Sequence, residues 1–388
     1  TENGLGLNLY VDGRFGSFST NRLDKKELET LITNGIESTR YLAVDESRML
    51  ADPARYYKGG KPDLQLFDKK LYEVNPDDKV AIARAAAEEV LGKDERIISV
   101  DSSYSDGEGS SYRLISNGFE GESKSTWFSV SASVSIKGEG EARPQDYWYD
   151  SALFYDKLTK AGIGAKALER VLRKLGQKKA KSGKYTMVVD PMNVGNLLSP
   201  MLSALYGSAL QQRILPDGQA GSKVASDLFT LRDEPHAIGA NGSRYFDNEG
   251  VATEPRTVFD KGVLKTYFID TYNGKKMDIA PTISAPSRLI LTPGDKDLNG
   301  LVADIKQGIL VTGFNGGNSN SSTGDFSYGI EGFLIEDGKL TQPVNEMNVT
   351  GNMVTLWNSL VAVGNDPQPN RSWQIPSLVF EGVDFSGL

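Results

Sequence analysis

Side chains able to do bond-breaking chemistry are few in this chain. Its 388 residues include one histidine, His236 in "RDEPHAIGANG", and no cysteine. A hydrolytic zinc site draws three protein ligands from His, Cys, Asp and Glu and adds a carboxylate to activate the bound water. A Ser-His-Asp triad would have to use His236, and no G-x-S-x-G elbow accompanies it. Asp233 and Glu234 flank His236, so a metal or general-base role is chemically open to it; the Pro/Gly setting favours a solvated loop histidine instead. Carboxylates can act without histidine, and Asp247 and Glu249 in "YFDNEGVAT" and Asp325 in "SSTGDFSYG" are the candidates. Beside glycine in hairpin loops such residues more commonly cap backbone N–H groups.

The least ordinary loop is "GFNGGNSNSSTGDFS", residues 313–327, small, polar and long between the apolar runs "ILVT" and "GFLIE". Such a loop is either mobile or a ligand-contacting surface. Thr323, Asp325 and Phe326 in it, with Asp247 and Glu249, form the candidate substrate-binding set. A second segment, "NLLSPMLSALYG" at 196–207, follows the strand-like "YTMVVDP". Its apolar residues Leu197, Leu198, Met201, Leu202 and Leu205 recur at helical spacing, with Ser199 suited to cap a helix whose first residue is Pro200. By itself it reads as a core helix.

The elements that must position these residues fall into two parts. Asp12-Gly13 suits a hairpin turn between strands at 5–11 and 14–19. Leu28, Leu31, Ile32, Ile36 and Tyr41 then follow helical spacing, in a helix expected to cover that sheet. Residues 45–75 read as a long surface excursion, and "PDDKVAIARAAAEEVLGK" as a helix opened by Pro76 and closed by Gly92. Strands are expected at about 95–103, 111–119 and 125–137, a β-meander joined by turns in "YSDGEGSS" and "GFEGES", then a long helix at 151–177. The G-x-G at 162–164 lies in helical periodicity and lacks a third glycine, so it reads as tight helix packing and not a nucleotide loop. From 184 onward short alternating runs dominate, with two hairpins of the Asp-Gly type in "FDKGVLKTYF" and "IEDGKLTQPV". The reading is α+β: an N-terminal α/β domain, 1–180, with a mixed sheet and long helices, then a β-rich, barrel- or sandwich-like C-terminal domain, 181–388.

Composition bounds the function. Lys plus Arg total 43 against 51 acidic residues, a formal charge of -8, leaving no basic surplus for a phosphate backbone. No direct nucleic-acid partner is expected. No run approaches the roughly 18 to 20 apolar residues that span a bilayer, and the start "TENGLGLNLYVDG" has no signal-peptide pattern. The absence of cysteine fits a reducing compartment, so a cytoplasmic location is expected. The opening residues alternate as if already inside a sheet, and the chain is expected to begin part-way through a natural domain.

"FDNEGVATEPRTVFDKGVLKTYFIDTYNGKK", "GILVTGFNGGNSNSSTGDFSYGIEGFLIEDGKLTQPV" and "VTGNMVTLWNSLVAVGND" together resemble the most distinctive segments of the TldD/PmbA family, also called TldD/TldE. The likeness extends more weakly through "GLGLNLYVDGRFGSFSTNRLDKKEL" and "SGKYTMVVDP". It implies a metallopeptidase family whose two kinds of subunit pair: a TldD-like one with a zinc-binding H-E-x-x-x-H helix and a late cysteine, and a PmbA/TldE-like one without them. An older label for the family is modulator of DNA gyrase.

Aligning that zinc helix by its preceding strand and "LL" pair puts Ser199 and Ala204 at the histidine positions and Pro200 at the glutamate. None of these can take the inherited role, and no metal or other cofactor is expected in this chain. The resemblance implies a non-catalytic PmbA/TldE-type subunit that helps a zinc-bearing TldD-like partner bind peptides or unfolded chains. A stand-alone homodimer that binds peptides or regulates another protein is the alternative, and a cryptic hydrolase using Asp247, Glu249 or Asp325 is the third reading.

Overall fold

The computed structural model describes residues 2–211, 220–320 and 323–388. An antiparallel hairpin opens it, Leu5–Val11 paired with Arg14–Thr20, with Asp12 and Gly13 both at positive φ in the turn. Helix Lys25–Arg40, capped by Asp24, lies on this hairpin, and Gly35 leaves room there for Leu9 and Phe18. Residues 45–75 contain only two short 3-10 turns, yet the segment is anchored: Tyr56 is buried against Phe119, and its hydroxyl donates to Asn117 Oδ1 at 2.6 Å.

The next unit is a three-stranded antiparallel sheet, Ile97–Ile115, Phe119–Ile136 and Gln145–Ala152, covered on one face by helices Pro76–Glu88 and Ile163–Leu172. Alternate residues Phe128, Val130, Ala132, Val134 and Ile136 supply the buried face. Two expectations fail here. "YSDGEGSS" is not a turn but the middle of one long strand, with Ser105, Gly109 and Ser111 opposite Ser129, Ser125 and Ser123 across the ladder. The expected 151–177 helix is interrupted: Ser151 and Ala152 still pair with Ser129 and Phe128, and the helix starts only after Gly162, at φ 81°.

That helix start explains the G-x-G. The Glu89 carboxylate accepts from the backbone N–H groups of Gly162 at 2.6 Å, Gly164 at 2.8 Å and Ala165 at 3.1 Å, so the N-terminus is already satisfied by protein. A Cβ on Gly164 would sit 1.9 Å from the Ala86 carbonyl oxygen. Gly164→Ala is expected to lower stability by about 2–3 kcal/mol, because a backbone carbonyl cannot rotate away, read as a lower urea midpoint.

The C-terminal part is built on a closed barrel. Strands Lys339–Asn352, Asp325–Glu336, Gln307–Ser319, Gly183–Val189 and Leu378–Ser386 pair in that order, and Asn348–Thr350 then pairs with Asp384–Ser386 to close the ring. The runs "MVV", "ILV" and "LVF" are apolar throughout because both faces are covered. Met187, Val189, Ile309, Val311, Leu378 and Phe380 join the main core, while Val188, Leu310 and Val379 face a smaller one with Leu301, Val302 and Ile305. A four-stranded sheet of short strands packs alongside, Leu289–Leu291, Leu231–Asp233, Arg256–Asp260 and Val263–Leu264. Its "FDKG" hairpin turns on Lys261-Gly262, not on an Asp-Gly pair, both residues at positive φ. Within the 313–327 segment, residues 313–319 and 325–327 are strand as well, paired antiparallel with bulges. Among the described residues no helix is long and apolar enough to cross a membrane.

Candidate functional site

Strand Gly183–Val189 delivers the chain into helix Gly195–Ser203 through a turn that Asp190 organises. The Asp190 carboxylate accepts from Asn193 N at 3.0 Å and Asn193 Nδ2 at 2.7 Å, and the same amide group donates to Thr312 O at 2.8 Å. The turn is thereby tied to the neighbouring barrel strand. Burial pushes the Asp190 carboxyl pKa up. Leu197, Leu198, Met201 and Leu202 anchor the helix in the core. The helix begins one turn earlier than its sequence signals: Pro200 lies inside it and Ser199 is not its cap. Proline has no N–H, so the Asn196 carbonyl loses its usual helical donor, and the apolar neighbours hold the helix despite that.

The exposed flank of this helix forms one wall of a cleft of about 570 Å³. Ser199, Pro200 and Ala204 all line it. The hairpin tip, with Thr323 and Gly324, forms the opposite rim, and Met353, Val354 and Trp357 of helix Met353–Asn358 close the end. None of the described lining residues carries a formal charge. Trp357 is packed between Phe229, 4.7 Å away, and Phe380, 5.5 Å away, and its buried Nε1–H has no acceptor among the described residues.

The expected binding residues separate into two groups. Thr323 lines the cleft, and Asp325 stands behind it. The Asp325 carboxylate accepts from Thr323 Oγ1 at 2.8 Å and Asn352 Nδ2 at 3.0 Å, which hold its pKa below the usual range. Asn352 in turn donates to Thr323 O at 2.8 Å and caps helix Met353–Asn358 by accepting from Val354 N at 3.0 Å. Asp325 and Asn352 thus fasten the rim to the helix that closes the cleft. Phe326 is buried, stacked on Tyr328 at 5.4 Å, and belongs to the core.

Asp247 and Glu249 do not line the cleft. Asp247 accepts from the backbone N–H groups of Glu249, Val251 and Ser284 at 2.9, 3.0 and 2.9 Å, and Glu249 accepts from Thr271 N and Oγ1, both at 3.0 Å. Both carboxylates brace loops. His236 is half-buried, not solvated: Nε2 is 3.0 Å from Thr253 Oγ1. Because that hydroxyl gives its proton to Arg244 O at 2.5 Å, the histidine is the donor. Burial lowers its pKa. Met353, Val354, Trp357 and Tyr328 were not among the expected site residues; the one local signal for the first three was an Asn cap ahead of an apolar run.

Burial raises the Glu249 carboxyl pKa above its ordinary 4.5, with the Thr271 donors opposing. A folded-state value above the unfolded one gives stability that is full below the unfolded pKa and declines as pH rises through the folded one. Glu249→Gln removes the titrating group. Relative to wild type it is expected to gain in unfolding free energy between about pH 4 and pH 7, measured by urea titration at both.

Comparison with known proteins adds the family. Residues 182–387 match the PmbA/TldA metallopeptidase C-terminal domain and residues 69–175 its central domain. The chain belongs to the TldD/PmbA family. A crystal structure from Bacteroides thetaiotaomicron, described as a proposed modulator of DNA gyrase, is 71% identical with a TM-score of 0.98, covering 100% of this chain and 89% of that one. The metalloprotease PmbA homolog of Haemophilus influenzae is 28% identical over 393 residues, 99% of this chain and 85% of the relative. TldE from Thermococcus kodakarensis shares the fold, with a TM-score of 0.80 at 22% identity over 98% of this chain and 89% of that one.

The family's zinc can be tested against the residues present. Ser199, Pro200 and Ala204, which the resemblance sets against the zinc helix, offer a hydroxyl, a proline ring and a methyl, and the described residues lining their cleft include no His, Cys, Asp or Glu. Among the described residues no group of three or more such side chains is placed to hold a metal. The donor set does not fit zinc.

Proposed function

We propose that this TldD/PmbA chain is the non-catalytic, PmbA/TldE-type subunit of a two-subunit metallopeptidase, binding an extended peptide in the cleft while a TldD-like partner supplies zinc. The observation that carries the reading is the cleft itself: the three aligned zinc-helix positions line it, without ligands, beside an uncharged and largely apolar wall. Met201, Leu205, Phe259 and Met353 suit an apolar side chain. An uncharged wall disfavours a charged side chain, which would lose its hydration without gaining a partner.

The test is co-expression with a zinc-bearing TldD-like subunit, followed by native mass and metal analysis and assays on unstructured peptides. A heterodimer whose zinc and peptidase activity both disappear when the partner's ligands are removed is the expected result. Full-strength peptidase activity or stoichiometric zinc in the isolated chain overturns the proposal. A stable homodimer that ignores the zinc subunit would instead favour the stand-alone binding protein.

A further inference from the structure

A second cavity shares no residue with the cleft. It encloses about 150 Å³ between Leu153–Phe154 and the loops that carry Asn241, Arg288 and Arg371. The two arginines are both half-buried, and among the described residues neither is in an ion pair. Arg288 Nε is buried with no hydrogen-bond partner. The acid whose field reaches it, Glu234, is already engaged by Arg232 at 2.7 Å. Arg371 donates to the Tyr149 hydroxyl and lies over the Tyr149 ring, 4.6 Å from its centroid.

A guanidinium does not deprotonate in a protein, so both charges persist where hydration is reduced. Such charges are retained at a cost unless a counter-charge completes them. Burial lowers the pKa of both groups, in keeping with that missing counter-charge. The cavity abuts another of about 380 Å³, the two sharing Leu153 and Asn241. Arg244 and Lys124 line that neighbour. Arg244 spends its donors on Ser287 Oγ and the Ala285 and Pro286 carbonyls, so its charge too is unmatched at contact distance. Lys124 is paired with Glu108 at 3.3 Å, so among the described residues the charge unmatched at contact distance is that of the three arginines, set round a concave space in a chain of net charge -8.

We propose that the cavity between Arg288 and Arg371 is a binding site for a small oxyanion, a phosphate or a carboxylate, entered past Arg244 and Lys124. The guanidinium fork matches the paired oxygens of either group. The smaller cavity has room for the anion, and the larger one for a short organic tail.

Calorimetric titration of the full chain with inorganic phosphate and, separately, with succinate tests this, at ionic strength matched with chloride. At least one anion is expected to bind with a Kd below about 1 mM, and Arg288→Met and Arg371→Met each to weaken it about ten-fold or more. Phosphate alone binding identifies the inorganic ion, and succinate alone an organic carboxylate; both are supporting results. Arg288→Lys and Arg371→Lys keep the charge without the fork and are expected to fall between wild type and the Met variants. The anion-free Met variants are expected to melt no lower than wild type, since each removes an uncompensated charge. Absence of binding of both anions, equal binding by wild type and the double Met variant, or unfolding of the anion-free Met variants overturns the proposal.

Discussion

Lys174→Met is expected to lower unfolding free energy by about 3–5 kcal/mol, which is the scale for leaving buried carboxylates without their cation. Lys174 Nζ lies 2.7 Å from Glu331 Oε1, 3.2 Å from Asp146 Oδ2 and 3.0 Å from Gln145 O, with the three charged side chains only 10, 16 and 6% exposed. Lys174 and Asp146 belong to the three-stranded unit, whereas Glu331 comes from a barrel strand. Gly313 on the adjacent strand makes the space, since a Cβ there would lie 2.7 Å from Glu331 Oε1. Methionine fills the volume of the lysine stem but strands Glu331 completely, while Asp146 keeps Arg170 at 3.2 Å. The double variant Lys174→Met/Glu331→Gln is expected to recover more than half of the loss. Urea unfolding of the four members of this cycle gives the coupling directly. A Lys174→Met loss under about 1 kcal/mol, the level of an exposed pair, would contradict the account.

What the sequence disclosed was local. The Asp12-Gly13 turn, the Pro76 start of helix Pro76–Glu88, and the apolar barrel strands each depend on a few adjacent residues whose chemistry has one strong solution. The misreadings came where a local signal had two solutions. Ser, Gly and Asp in "YSDGEGSS" are turn formers, but opposite a partner strand they form a ladder in which Gly107 accepts the Trp127 ring against it. The run at 151–177 has helical spacing, but its first residues are claimed by strand Phe119–Ile136, and tertiary pairing wins over propensity. Pro200 signalled a helix start because proline fits the first turn; the burial of Leu197 and Leu198 carries the helix one turn further back.

The candidate site was legible only in pieces. Ser199, Thr323 and Trp357 are far apart in sequence, and nothing local joins them; the barrel's closure brings them round one cleft. Asp247 and Glu249 stood out as acidic residues beside glycine, and the loop-bracing reading of that pattern describes their hydrogen bonds. The family resemblance implies what local physics could not, namely that the helix at 195–203 would correspond to one that carries zinc in TldD-like subunits. On that reading the helix would be kept for its packing, since its other face is core.

Ser199 offers the most direct way to separate that packing role from binding. It is exposed on the helix and lines the cleft, whereas Leu198 beside it is fully buried. Ser199→Trp would place a large rigid ring in the cleft without touching the core, so the melting temperature is expected to move by no more than a surface substitution does, within about 0.5 kcal/mol. Peptide binding is expected to fall about ten- to a hundred-fold, equivalent to about 1.4–2.7 kcal/mol, because the ring competes for the same apolar wall. In complex with a zinc-bearing TldD-like subunit, the same loss should appear in kcat/KM with zinc content unchanged. Ser199→Ala serves as the control, since it removes only a hydroxyl and leaves the cleft open. If the tryptophan variant folds, pairs and supports cleavage as wild type does, the cleft is not where the peptide lies, and the helix is retained for its packing alone.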